Sequence, residues 1–107
     1  MKKYESFIYL LKIDTPDTRL YKIGSTKGSV QKRIRELQTG CPYQIDLINH
    51  HQSEFGQVIE RTLHNRYNHM KTHGEWFQLS ISEEIDFIEN CRLIEEMNIN
   101  LEKNNII

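Results

Sequence analysis

The 107-residue sequence predicts an α+β domain, an α/β sandwich in which a small three-stranded antiparallel sheet is flanked by helices, with an added C-terminal helix. Three observations carry this expectation. Two β-prone runs, Phe7 to Ile13 and Leu20 to Ser25, enclose the turn formers Asp14-Thr15-Pro16-Asp17-Thr18, which is the pattern of a hairpin. A third run, Gln44 to Ile48, alternates moderately between apolar and polar residues. Between and after these strands, apolar residues recur at helical spacing.

The first helix is expected over Gly28 to Gly40, where Val30, Ile34 and Leu37 fall at i, i+4 and i+7. Ser29 is placed to cap its start and Gly40 to end it, and Cys41-Pro42 breaks the chain. A second helix is expected from Ser53 to Met70, with Phe55, Val58, Ile59, Thr62, Leu63 and Met70 on one face. Glu60, His64 and Tyr67 run along the edge of that stripe, where packing anchors a side chain that still reaches a ligand. Gly74 to Leu79 reads as a tight turn into a short apolar strand, with Trp76 and Phe77 in the core. Ser80-Ile81-Ser82-Glu83 fits a capping box opening a last helix, with Ile81, Ile85, Ile88 and Met97 inward and a frayed tail from Asn98. Gly24 reads as a turn device.

Charge divides the chain unevenly. Residues 1–80 hold 12 Lys and Arg against 8 Asp and Glu, and residues 81–107 hold 2 against 7. A basic body with an acidic tail suits a polyanion-binding domain whose terminal helix sits away from the ligand. Residues 1–80 are accordingly read as the functional body, and residues 81–107 as an acidic helix and tail of the same single domain. Charges of this kind also serve simply to solvate a surface.

Cys41 and Cys91 lack the spacing of a zinc site, and the five histidines do not complete one; His64, His69 and His73 are spaced only as helical neighbours. The apolar run in MKKYESFIYLLK is too short for a signal peptide or a membrane span. The expectation is a reduced, cytoplasmic protein, neither secreted nor membrane-bound.

In order along the chain stand Phe7-Ile8-Tyr9-Leu10, then LYKIGST (20–26), KRIRELQTG (32–40) with Pro42, E-x-x-L-H (60–64) and GEWF (74–77). This ordered set resembles the GIY-YIG nuclease superfamily, and within it the branch of phages and large viruses that reads KIG in place of YIG. The resemblance covers about Phe7 to Leu79. It departs from the usual pattern at Phe7, which stands for the first Gly, and at Lys22, which stands for the second Tyr.

The resemblance implies a metal-dependent endonuclease with Tyr9, Lys22, Arg33 and His64 as catalytic residues and Glu60 as the metal ligand. Lys27, Lys32 and Arg35 would make further nucleic-acid contacts. The implied cofactor is Mg²⁺ or Mn²⁺, and the implied partner is nucleic acid, DNA first, bound by a monomer or weak homodimer. The residue types suit the chemistry. A tyrosine on a rigid strand positions or deprotonates water. An arginine fork matches two phosphate oxygens. One carboxylate holds a hard cation that keeps most of its waters and assists the leaving 3′-oxygen. Lys22 replaces a phenol with an ammonium, suited to phosphate or, with a lowered pKa, to a base role. Two other readings stand beside this one: a module of the same fold that binds nucleic acid without cutting it, and a protein-interaction domain using the acidic last helix. On the nuclease reading, Tyr9, Lys22, Arg33 and Glu60 are expected to converge on one concave face.

Overall fold

Strand β1 (Ser6–Asp14) forms the middle of the sheet in the computed structural model, which describes residues 5–72 and 74–104. Its apolar run, interrupted by Lys12, belongs to a strand covered on both faces: Ile8, Tyr9, Leu10, Leu11 and Ile13 are all buried. Strand β2 (Arg19–Thr26) lies on one side and β3 (Asp46–Ser53) on the other, both antiparallel to β1, in the order β2-β1-β3. The β1–β2 register sets Tyr9 opposite Gly24 and Leu11 opposite Lys22.

Alternation along the strands divides the apolar core in two. On one face, Ile8, Leu10, Tyr21 and Ile23 pack with Ile59 and Leu63 of α2 (Gly56–Arg66) and with Phe87, Cys91 and Ile94 of α4 (Phe87–Asn104). On the other, Tyr9, Leu11 and Ile13 pack with Val30 of α1 (Val30–Gln38), and Ile34 and Leu37 close over them. The result is the expected α+β sandwich, a three-stranded antiparallel sheet between helices with a further C-terminal helix.

Several boundaries differ from the sequence expectation. The third strand runs on to Ser53 because the β1–β3 register shifts between Leu10, opposite Asn49, and Leu11, opposite Leu47. The extra residue, Ile48, hides the alternation beyond it. Ser53 therefore ends a strand, and its Oγ accepts from the Phe55 N–H at 3.0 Å. Helix α2 starts at Gly56, where a Cβ would lie 1.8 Å from Ser6 Oγ; only glycine lets the helix seat so close to β1. It ends at Arg66, followed by a 3₁₀ turn over Asn68–Met70.

Ser29 caps α1 as expected, its Oγ accepting from the Lys32 N–H at 3.2 Å. Gly40 is not a left-handed cap. Thr39 stays right-handed, and Gln38 instead ties down the following loop through Tyr43 O and the Ile45 N–H, both at 2.8 Å. Among the described residues the positive-φ glycine is Gly74 (φ 66).

The Ser80–Glu83 capping box is present and opens α3 (Ile81–Ile85). An interruption at Asp86 (φ −83, ψ 2) resets the helical phase before α4. The inward stripe becomes Phe87, Cys91 and Ile94, with Ile88 half-buried, while Ile81, Ile85 and Met97 are 56, 72 and 62% exposed. Helix α4 stays regular past Asn98, whose side chain donates to Ile94 O at 2.8 Å. The expected strand at Trp76–Leu79 is reduced to bridges at Phe77, which exchanges backbone hydrogen bonds of 2.8 and 2.7 Å with Tyr21 on the outer edge of β2. Phe77 is fully buried, and Trp76 only partly. His73, the third of the helically spaced histidines, lies outside the described residues, as do Lys2 and Lys3.

Candidate functional site

Gly24 lies within β2, not in a turn, and the space it leaves belongs to Tyr9. A Cβ on Gly24 would sit 2.5 Å from the Tyr9 hydroxyl oxygen and 2.6 Å from Cζ, so the tyrosine ring lies across the edge strand at this point. Tyr9 is 2% exposed, and its hydroxyl lies within the influence of the Arg33 guanidinium of α1. Arginine only donates, so toward Arg33 the Tyr9 oxygen can act only as an acceptor. Arg33 also reaches Glu36, Nη1 to Oε1 at 3.3 Å, one turn on.

The electrostatics of this pair follow from burial. Desolvation pushes the Tyr9 hydroxyl above its ordinary pKa of 10.0; Arg33 opposes the shift, and the charges of Glu60 and Glu75 reinforce it. Tyr9 is therefore a neutral phenol at neutral pH. The Tyr9 hydroxyl is the largest cause raising the pKa of Arg33, and Glu36 adds to it.

Glu60 and His64 approach from α2, on the opposite face of the sheet. Ser25 Oγ donates to Glu60 Oε1 at the edge of β2. His64 Nε2 lies 2.7 Å from the Ile23 carbonyl, which can only accept, so Nε2 carries the proton and Nδ1 is the nitrogen left for other chemistry. The same Nε2 is 3.8 Å from Glu60 Oε2, and the ring stands edge-on to Phe77 at 5.1 Å between centroids. Ser25, Glu60, Arg61 and His64 line a cavity of about 390 Å³, together with Gln57 and Asn65.

Lys22 is 8% exposed, with Nζ 3.5 Å from Glu75 Oε1 and 5.7 Å from the centroid of the Trp76 ring. Lys27, Lys32 and Arg35 are exposed, Lys27 in the β2–α1 connection and the other two on α1. The structure thus sets Tyr9 beside Arg33, places Lys22 one residue pair along the same face of β2, and brings Glu60 with His64 around the strand edge from behind. Lys22 and Glu60 line different cavities, on the α1 side and the α2 side of the sheet. Tyr9 and Glu60 meet through their fields, past Gly24 and Ser25.

Sequence reasoning missed Ser25, Glu75 and the tie between Lys22 and the Gly74–Phe77 turn. The available signal was that LYKIGST and GEWF contain both sides of the Lys22 contacts, and LYKIGST and E-x-x-L-H both sides of the Ser25–Glu60 bond. Among the described residues no three His, Cys, Asp or Glu side chains cluster to cage a metal. Glu60, a half-exposed carboxylate beside a hydroxyl, suits instead a hard cation that keeps water and takes phosphate oxygens. No helix among the described residues is long and apolar enough to cross a membrane. The T5orf172 domain model matches residues 6–92, which includes every site residue above. No curated protein and no solved structure matches the chain.

Proposed function

The chain belongs to the T5orf172 domain family, a domain of phage and bacterial endonuclease-like proteins, and from that membership we propose a GIY-YIG-type, metal-dependent endonuclease that hydrolyses phosphodiester bonds in DNA. The observations supporting it most are the space that Gly24 leaves for the Tyr9 ring at the strand edge and the opposed charges of Arg33 and Glu60 that both act on its hydroxyl. A phenol can position water, a guanidinium can hold phosphate oxygens and a carboxylate can take a hard metal ion, the three tasks of phosphodiester hydrolysis.

Arg33 holds two phosphate oxygens and stabilises the charge that develops on them. Tyr9, kept neutral by burial, positions the attacking water through its hydroxyl. Glu60's charge is one cause of the raised Tyr9 pKa, so neutralising that charge eases deprotonation of the phenol. A Mg²⁺ or Mn²⁺ held by Glu60 would supply Lewis-acid stabilisation of the leaving 3′-oxygen. Ser25 and His64 fix the Glu60 carboxylate and the edge of β2, and His64 Nδ1 faces proton transfer. Lys22 adds positive charge along the same strand, and Lys27, Lys32 and Arg35 extend the contact to flanking phosphates.

A second reading, a nucleic-acid-binding module of this fold that no longer cuts, draws on specific contacts. The Lys22 ammonium is engaged by Glu75 and Trp76, and His64 Nε2 by a backbone carbonyl. Incubation with plasmid, single-stranded DNA and RNA, with and without Mn²⁺, separates the two. Metal-dependent cleavage supports the enzyme, salt-sensitive binding without cleavage supports the module, and neither result removes both.

A further inference from the structure

Lys22, Glu36, Leu37, Tyr43, Ile45 and Trp76 line a second cavity, about 400 Å³ in volume, on the α1 face of the sheet. That volume lies within the range of small-molecule sites. Its walls are mostly apolar and two are aromatic, with a single ammonium and a single carboxylate among them. Two of these residues also touch the candidate active site. Glu36 carries the 3.3 Å ion pair to Arg33. Lys22 lies two residues from Gly24 on the same face of β2, about 7 Å along the strand.

The aromatic groups are held in place before any ligand arrives. Trp76 packs against the α1-face core, and the Lys22 ammonium stands 5.7 Å from its ring centroid. Tyr43, 36% exposed at the mouth, sits on a backbone fixed by the 2.8 Å hydrogen bond from Gln38 Nε2 to its carbonyl. A ligand for such a space is planar, with apolar faces to stack and a polar edge that accepts from an ammonium and donates to a carboxylate. A nucleobase has these properties, and it offers its faces only when unpaired.

We propose that this cavity is a nucleobase subsite, receiving an unpaired base of the nucleotide next to the phosphate at Arg33. Trp76 and Tyr43 stack on the base, Lys22 donates to its ring carbonyl or nitrogen, and Glu36 accepts from an exocyclic amine. The substrate class is then single-stranded or locally unpaired nucleic acid. The inference rests on the nucleic-acid reading above and narrows it.

Trp76 is the chain's single tryptophan, so its emission reports directly on occupancy of the cavity. Metal-free protein is titrated with a labelled single-stranded oligodeoxynucleotide, an abasic strand of the same length, and a perfect duplex. Trp76 emission is read together with anisotropy of the label. The single strand should quench Trp76, whereas the abasic strand and the duplex should bind without quenching. Tyr43→Ala, a change at an exposed side chain whose backbone contact survives, should weaken binding of the single strand about tenfold and leave the abasic strand unaffected. Equal binding of all three with unchanged Trp76 emission overturns the subsite and leaves the nucleic-acid reading standing. Failure of all three to bind overturns both.

Discussion

Gly24→Ala tests the construction of the site at one atom. No backbone conformation forbids alanine here, since Gly74 is the glycine with positive φ among the described residues. In a strand interior alanine would ordinarily add about 0.5–1 kcal/mol of stability over glycine. Here the added Cβ lands 2.5 Å from the Tyr9 hydroxyl oxygen, 2.6 Å from Cζ and 2.8 Å from Cε1, on a ring that is 2% exposed and cannot swing away into solvent. The ring or the strand must shift, and overpacking of this kind costs about 1–3 kcal/mol. For a domain of this size the midpoint of thermal unfolding should fall by about 4–8 °C for each kcal/mol. The displaced hydroxyl loses its place beside Arg33, and cleavage should drop by on the order of a hundredfold. Denaturant unfolding and plasmid nicking read the two effects separately. Tyr9→Leu clears the space, so the Gly24→Ala/Tyr9→Leu protein should be more stable than the sum of the single changes implies, with a coupling of about 1–2 kcal/mol. A Gly24→Ala protein as stable and active as the wild type, or strict additivity in the cycle, would refute the claim that Gly24 exists to admit Tyr9.

Glu60→Gln keeps an acceptor for Ser25 and should leave stability within about 0.5 kcal/mol, while metal-dependent cleavage falls by on the order of a hundredfold or more; equal cleavage by both proteins would reduce Glu60 to a surface residue. Lys22→Met should hold stability within about 1 kcal/mol, because its Glu75 partner is 71% exposed, and should weaken nucleic-acid binding and cleavage together. Unchanged cleavage by Lys22→Met would remove Lys22 from the site. Burial pushes the Cys91 thiol from its ordinary value of 9.0 up to about 12, with Glu95 reinforcing the shift. The unfolded thiol ionises first, so this contribution is intact below pH 9 and is lost as pH rises toward 12, a total of about 4 kcal/mol. Cys91→Ala should reduce the loss of stability between pH 9 and 10, where the buried Tyr9, Tyr21 and Tyr67 have only begun to add to it; an unchanged slope there would contradict the burial argument.

The hairpin was legible because its signals are local: a β-prone run, a cluster of turn formers and a second run need no knowledge of the rest of the chain. Helix α1 was legible for the same reason, through Val30, Ile34 and Leu37 and the Ser29 cap. Features that depend on contacts remote in sequence were not. The β3 bulge at Ile48 and the break at Asp86 each shift a periodic pattern by a residue or so, which a reading of period alone extrapolates straight through. That extrapolation places Ile81, Ile85 and Met97 inward, and they are exposed.

The site shows the same division at finer scale. Tyr9, Arg33 and Glu60 are recognisable by order along the chain, yet their order does not say that α1 and α2 cover opposite faces of the sheet. Meeting around an edge strand is what makes the small residues Gly24 and Ser25 necessary: one clears a path for Tyr9 from one face, and the other ties Glu60 from the other. The departure at Lys22 has a similar explanation. A tyrosine there would carry a neutral ring toward Trp76, whereas the lysine brings a cation that Glu75 balances and the indole face accepts. The residue in that position and the turn at Gly74–Phe77 therefore form one physical unit, and substitution of either should be felt by the other. A Glu75→Gln change, which leaves the Lys22 ammonium over Trp76 without its counter-charge, should strengthen binding of nucleic acid and steepen its salt dependence; weaker binding would mean that Glu75 holds Lys22 in position rather than competing with phosphate for it.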